Sequence, residues 1–148
     1  MTLKDIIDKM AILEGDISDW KTDINLNGKN LQSALIEQPS YLARYDQIAA
    51  EANYLVDCMD IIVKRVRAER IRFIKDTFAR DYTDSAIQKI VDGDKRYLDV
   101  YQVYIEVKYL YDRCKSLVDA FKQRSYALNN IVKVRESELE DITISLDY

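Results

Sequence analysis

The residues of this chain best suited to chemistry form a cationic block inside an otherwise acidic sequence. From Lys64 to Arg80 there are seven basic residues and only two acidic ones, Glu69 and Asp76, so the segment carries +5. The whole chain of 148 residues carries −4, which leaves −9 for everything outside the block. A charge split of this kind gives a polyanion one local binding surface and repels it elsewhere. Nucleic acid is therefore the leading candidate partner.

On a helix, much of this block shares one side. At 100° per residue, four of the basic side chains fall within about 100° of one another, opposite a predicted apolar seam through Ile62, Val66 and Phe73. Arg67 lies next to this group of four basic side chains. Cations at successive turns, with apolar side chains among them, are suited to a phosphate backbone and its bases. The residues predicted to contact DNA are Lys64, Arg65, Arg67, Arg70, Arg72 and Lys75.

A second interpretation of the block stays open. A basic helix face is often merely solvated, or pairs with acidic residues of a neighbouring subunit. The sequence pI near 4.9 also argues against a broad, non-specific DNA coat.

The tyrosines pose a similar choice between two roles. Five fall within fifteen residues and could stack on bases, namely Tyr97, Tyr101, Tyr104, Tyr109 and Tyr111. Their heptad-like spacing instead favours a core or a subunit interface, where a tyrosine hydroxyl lies at the wet edge. The interface is the favoured interpretation.

Catalysis has little support in this sequence. There is no histidine, no phosphate-binding loop and no cysteine cluster with metal-ligand spacing. We therefore expect a protein that is not an enzyme and has no cofactor. Cys58 and Cys114 lie in apolar, helix-like sequence and are expected to be reduced thiols of a cytoplasmic protein. We expect no secretion signal and no membrane-spanning segment.

The elements that would position these residues are helices, because one proline and three glycines leave few breaks. Thr2 and Asp5 have capping-box spacing, and an apolar stripe then runs from Leu3 to Ile24. Residues 25–30 break it. Pro39 is predicted to be the first residue of the next helix, which continues for about forty residues.

A short helix is predicted through Ile87, Ile90 and Val91, ending at Asp92-Gly93-Asp94. The last helix has the most regular seam, with alternating steps of three and four residues from Tyr97 to Val132. The residues of this seam predicted to carry oligomerisation are Tyr104, Tyr111, Val118, Phe121 and Leu128.

The predicted architecture is all-α, a single domain over residues 1–148, with an acidic and frayed tail at 136–148. Two helices of about forty residues would each be ~60 Å long. Their apolar surface favours an elongated helical hairpin or bundle that assembles into a symmetric oligomer. A compact monomeric bundle is the alternative.

The segment Asp119-Ala120-Phe121-Lys122-Gln123-Arg124-Ser125-Tyr126-Ala127-Leu128-Asn129-Asn130-Ile131, followed by Arg135, resembles the C-terminal helix of the UvsY family. These proteins are recombination mediators of T4-type phages. The opening Met1-Thr2-Leu3-Lys4-Asp5-Ile6 is also similar to that family's N-terminus. The order of an N-terminal helix, a central helix ending in basic residues and a C-terminal helix agrees as well.

The resemblance implies a ring-like homo-oligomer, a hexamer or heptamer, assembled through the C-terminal helix in the host cell cytoplasm. Its implied partners are single-stranded DNA, a RecA-like recombinase and the single-strand-binding protein that the mediator helps to displace. The family's short DNA-contacting motif would fall near Lys64 to Arg72, where this chain has Arg67-Ala68-Glu69-Arg70. The alternative is a structural or adaptor protein, such as a virion assembly or scaffolding component, without a nucleic-acid role.

Overall fold

Helices make up all the regular secondary structure of the described residues. The computed structural model describes residues 1–78 and 82–146, with side chains up to residue 138. The predicted all-α class is confirmed. The five helices in chain order are α1 (Leu3–Asp16), α2 (Trp20–Ile24), α3 (Leu31–Phe78), α4 (Asp84–Asp92) and α5 (Lys95–Leu146).

The start of α1 is fixed by the predicted capping box. The Asp5 N–H donates to Thr2 Oγ1 at 3.2 Å, and the Thr2 N–H donates to Asp5 Oδ2 at 2.8 Å. These bonds to Thr2 hold the pKa of Asp5 below its ordinary value. The helix is shorter than the apolar stripe predicted, because the chain turns at Ile17–Asp19, where the Ser18 hydroxyl donates to the Gly15 carbonyl at 2.6 Å.

The prediction that Pro39 begins the central helix is wrong. α3 begins at Leu31, where Asn30 Oδ1 accepts the Ser33 N–H at 3.2 Å, and it continues through Pro39. An internal proline costs a helix about 3 kcal/mol, since it removes one hydrogen bond and crowds the preceding turn. Buried contacts on both sides of Pro39, from Gln38 and Tyr45 to α5, offset that cost.

The core lies between α3 and α5, which run antiparallel as the predicted hairpin. Gln38 meets Phe121 near one end, and Arg70 meets Asp94 at the other. Phe121 is fully buried, and its ring stacks on Tyr45 with centroids 4.4 Å apart. α1 packs along both long helices and contributes Ile6, Leu13 and the neighbouring Ile17 to the same core.

The seam of α3 departs from the prediction in the helix's last third. Ile62 and Val66 are only half-buried, whereas Val63 and Ile74 are buried and Phe73 is 48% exposed. The heptad pattern assumes 3.5 residues per turn, and a straight helix has 3.6, so the buried line drifts around the helix. The predicted seam residue Phe73 therefore lies at the surface.

α4 folds back against the end of α3, as the sequence predicts for a short helix before Asp92-Gly93-Asp94. Thr83 Oγ1 accepts the Ala86 N–H at 3.2 Å at its start. Ile87 and Val91 on its apolar face pack against Ile74 of α3 and form a second small core. Most of the acidic segment 136–148 lies on the last turns of α5. Among the described residues, no helix combines the length and apolar character that crossing a bilayer requires.

The two cysteines should differ in reactivity. Both are free thiols, but Cys114 is buried and Cys58 is half-buried. Burial raises the pKa of the Cys114 thiol to about 11, so it has almost no thiolate near neutral pH. We expect iodoacetamide to label Cys58 first in the native protein and Cys114 only at high pH or after denaturation. Mass spectrometry of labelled peptides, with Cys58→Ser as the control, measures this, and equal rates would contradict it.

Candidate nucleic-acid interface

Four of the six predicted DNA-binding residues form one exposed stripe on α3. Their side chains are exposed, which agrees with the predicted helical angles. Ala68 lies among them and adds no charge. Glu69, the acid within the predicted motif, lies about 40° outside the stripe. The residues of this cationic stripe are Lys64, Arg65, Arg72 and Lys75.

Two of these cations have acidic partners and two do not. Lys64 Nζ lies 2.6 Å from Asp60 Oδ2, one turn earlier, and this hydrogen bond raises the pKa of Lys64. Lys75 Nζ lies 3.5 Å from Asp84 Oδ1, with both side chains exposed. Arg65 and Arg72 make no ion pair with any described side chain, so their charges face solvent.

The other two predicted contacts, Arg67 and Arg70, point towards α5. Arg67 Nη1 lies 2.8 Å from Asp92 Oδ1 and 3.4 Å from the hydroxyl of Tyr97. Arg70 Nε and Nη2 both approach one oxygen of Asp94, at 3.0 and 2.9 Å. These pairs tie the α4–α5 turn to α3, because the acids at the end of α4 meet bases 24 and 25 residues earlier.

The structure therefore separates the predicted site into two groups. The exposed charges lie on the cationic stripe, whereas Arg67 and Arg70 form ion pairs with carboxylates of the same chain. That Arg67 and Arg70 also contact phosphate stays a prediction. Their replacement would disturb the bundle as well as any binding surface, so Arg65 and Arg72 are the better residues for testing DNA binding.

The residues predicted to carry oligomerisation lie mainly in the core of one protomer. Val118, Phe121 and Leu128 are buried, and Tyr104 and Tyr111 are half-buried. Their heptad spacing serves the contact between α5 and α3, so their role in assembly stays a prediction. The C-terminal part of α5 also exposes apolar residues that the sequence interpretation did not select for assembly. These are Tyr126, Ile131 and Val134.

Three of the five clustered tyrosines form a line of rings on α5. The ring centroids of Tyr97 and Tyr101 are 5.7 Å apart, and those of Tyr101 and Tyr104 are 5.8 Å apart. Tyr97 and Tyr104 are half-buried, and Tyr101 is exposed. Tyr109 projects into solvent outside this line, and Tyr111 lies beneath the ammonium group of Lys115.

The fold has a counterpart among solved structures. A crystal structure of the bacteriophage T4 recombination mediator protein UvsY matches this chain with a TM-score of 0.72 and 20% sequence identity. The match covers 85% of this chain and 98% of that one. No protein-family model matches the sequence. No curated protein sequence matches it either. The chain therefore has the fold of the T4 mediator UvsY, which confirms, at the level of the fold, the resemblance found in its sequence.

Proposed function

We propose that this chain is a non-enzymatic recombination mediator that binds single-stranded DNA and helps to load a RecA-like recombinase onto DNA covered by single-strand-binding protein. The observation that carries the proposal is the cationic stripe, four exposed cations on one helix face of a protein with net charge −4. The fold shared with a recombination mediator gives this surface a functional context.

The shape of the stripe suits a flexible strand. Its four residues lie between positions 64 and 75 of α3, a rise of about 17 Å at 1.5 Å per residue. Phosphate contacts depend on lysine and arginine charge rather than on base sequence, so one helix face is sufficient. Assembly into a ring-like homo-oligomer would repeat the stripe around a symmetry axis. The exposed apolar residues Tyr126, Ile131 and Val134 of α5 are consistent with self-association.

The double variant Arg65→Glu/Arg72→Glu tests the proposal. We expect it to weaken binding of a labelled single-stranded oligonucleotide at least tenfold at low salt. Each phosphate contact contributes about −0.7 to the slope of log affinity against log salt for a single strand, so losing both should flatten the slope by about 1.4. Fluorescence anisotropy at several salt concentrations measures both quantities.

The matched control is Lys4→Glu/Lys21→Glu, which makes the same change in net charge at exposed positions of α1 and α2. It should bind nearly as well as the parent protein. An equal loss of affinity in both double variants would mean that binding depends only on the overall charge of the protein. A parent protein that forms a stable oligomer by light scattering and ignores single strands at low salt would favour the structural or adaptor role instead.

A further inference from the structure

The line of rings formed by Tyr97, Tyr101 and Tyr104 is partly open to solvent. Neighbouring ring planes are tilted by 33° and 36°, with centroids 5.7 and 5.8 Å apart. Tyr101, in the middle, is 38% exposed. A tyrosine that served only the core would bury its ring and leave its hydroxyl at the edge. In this line Tyr97 and Tyr104 pack against the core, and Tyr101 between them is exposed to solvent.

Cations of α3 border the same aromatic line. The Arg67 guanidinium lies over the Tyr97 ring, 5.4 Å from its centroid. Asp60 is the main cause of the raised pKa of Lys64, and Tyr104 contributes to it. Lys64 also belongs to the cationic stripe. Lys108 follows Tyr104 one turn later along α5 and is exposed.

These bordering cations carry little free charge, because Asp60 holds Lys64 and Asp92 holds Arg67. Phosphate is therefore attracted less strongly to Lys64 and Arg67 than to Arg65 and Arg72. The tyrosine line adds an aromatic surface, and stacking on an aromatic ring is largely independent of salt and of base identity.

We propose that Tyr97, Tyr101 and Tyr104 stack against bases of a single strand whose phosphates follow the cationic stripe. The inference rests on the proposed single-stranded-DNA binding and adds a second component to it. Charge favours an anionic strand as the occupant, since Lys108, one turn after Tyr104, is exposed and makes no ion pair with a described side chain, and Lys64 belongs to the cationic stripe. The stripe would set the dependence of binding on salt, and the aromatic line would supply a salt-independent share.

Tyr101→Leu tests the inference, because leucine keeps an apolar side chain and removes the ring. We expect it to weaken binding of an oligothymidine roughly five- to hundredfold, which corresponds to stacking of one base. Binding of an abasic oligonucleotide of equal length should stay unchanged, and so should the salt slope. Tyr101→Phe keeps the ring and should bind like the parent.

Tyr109→Leu is the matched control, since Tyr109 is an exposed tyrosine of the same helix outside the line. It should bind both oligonucleotides like the parent. A second measurement needs no variant: an oligonucleotide containing 5-iodouracil should photo-crosslink to the peptide that holds residues 97–104. Crosslinks confined to other peptides would overturn the inference.

The outcomes separate this inference from the proposed function. If Tyr101→Leu binds oligothymidine as the parent does, the aromatic line has no stacking role, and the Arg65→Glu/Arg72→Glu variant still tests the stripe separately. If the variant changes only oligomer mass, the line is a protein contact and the inference fails. If the parent binds neither oligonucleotide at low salt, the proposed function fails and takes this inference with it.

Discussion

Replacing Asp94 with alanine is expected to lower the free energy of unfolding by about 2–4 kcal/mol. Asp94 Oδ1 accepts the Tyr97 N–H at 3.1 Å and caps α5, while Oδ2 accepts two N–H groups of Arg70. Loss of such a cap costs about 1 kcal/mol. The side chains of Arg70 and Asp94 are only 18% and 14% exposed, so a guanidinium left alone there remains poorly hydrated and adds the larger cost.

Two control variants separate these contributions. Asp94→Asn keeps an oxygen that can cap α5 and should recover about 1 kcal/mol of the loss. Asp92→Ala breaks the pair with Arg67, but the Asp92 side chain is 56% exposed, so we expect less than about 1 kcal/mol. Urea unfolding followed by circular dichroism, at one protein concentration because assembly shifts apparent stability, measures all three. Equal losses for Asp92→Ala and Asp94→Ala would contradict the assignment.

The same contacts set the pH dependence of this effect. Burial raises the pKa of Asp94, but the Tyr97 N–H and Arg70 outweigh it, and the net pKa lies below the ordinary value. The stabilisation is therefore complete above the unfolded pKa of about 3.9 and is lost as pH falls through the lower folded pKa. The stability difference between the parent and Asp94→Ala should stay constant down to about pH 5 and shrink below pH 4.

The helices themselves could largely be predicted from local sequence. The cap at Thr2 and the end of α4 near Gly93 depend on residues within a few positions of each other, so their spacing alone defines them. Whether the helix ends at Pro39 depends instead on a contact between Gln38 and Phe121, which are 83 positions apart. Local rules favour a break at proline, and only the packing of α3 on α5 shows that the helix continues.

The candidate site could also be predicted only where it depends on local sequence. Helical angles correctly place Lys64, Arg65, Arg72 and Lys75 on one exposed face, because that requires only a straight helix. The partners of Arg67 and Arg70 depend on α4 folding back and bringing acids from Asp92–Asp94 to α3. Sequence spacing does not show which acid meets which base.

The seam of α5 shows a second limit of prediction from sequence. A repeat of three and four residues indicates that one helix face is covered, and the buried positions Val118, Phe121 and Leu128 agree with it. The same repeat describes a contact within a chain and one between chains. The distinction came from the packing of α3 on α5, which places Val118 and Phe121 in the core of one protomer.

Replacing Gln38 with leucine is expected to lower the free energy of unfolding by about 2–4 kcal/mol. Arg124 is 3% exposed, and its Nη1 donates to Gln38 Oε1 at 2.6 Å while its Nε donates to the Ile24 carbonyl at 3.3 Å. No described carboxylate forms an ion pair with it, and its Nη2 has no described partner. Gln38→Leu would thus remove a principal acceptor of a buried positive charge.

Removing both polar groups should cost less than the two single changes suggest. Arg124→Met alone leaves a neutral amide short of one partner, at about 1–3 kcal/mol, whereas Gln38→Leu with Arg124→Met leaves neither group unpaired. We therefore expect the double variant to be more stable than additivity predicts by at least about 1 kcal/mol in urea unfolding. Gln47→Leu, at an exposed position of α3, is the control and should change stability little. Additive losses, or a Gln38→Leu loss no larger than that of Gln47→Leu, would mean that water already satisfies Arg124 inside the bundle.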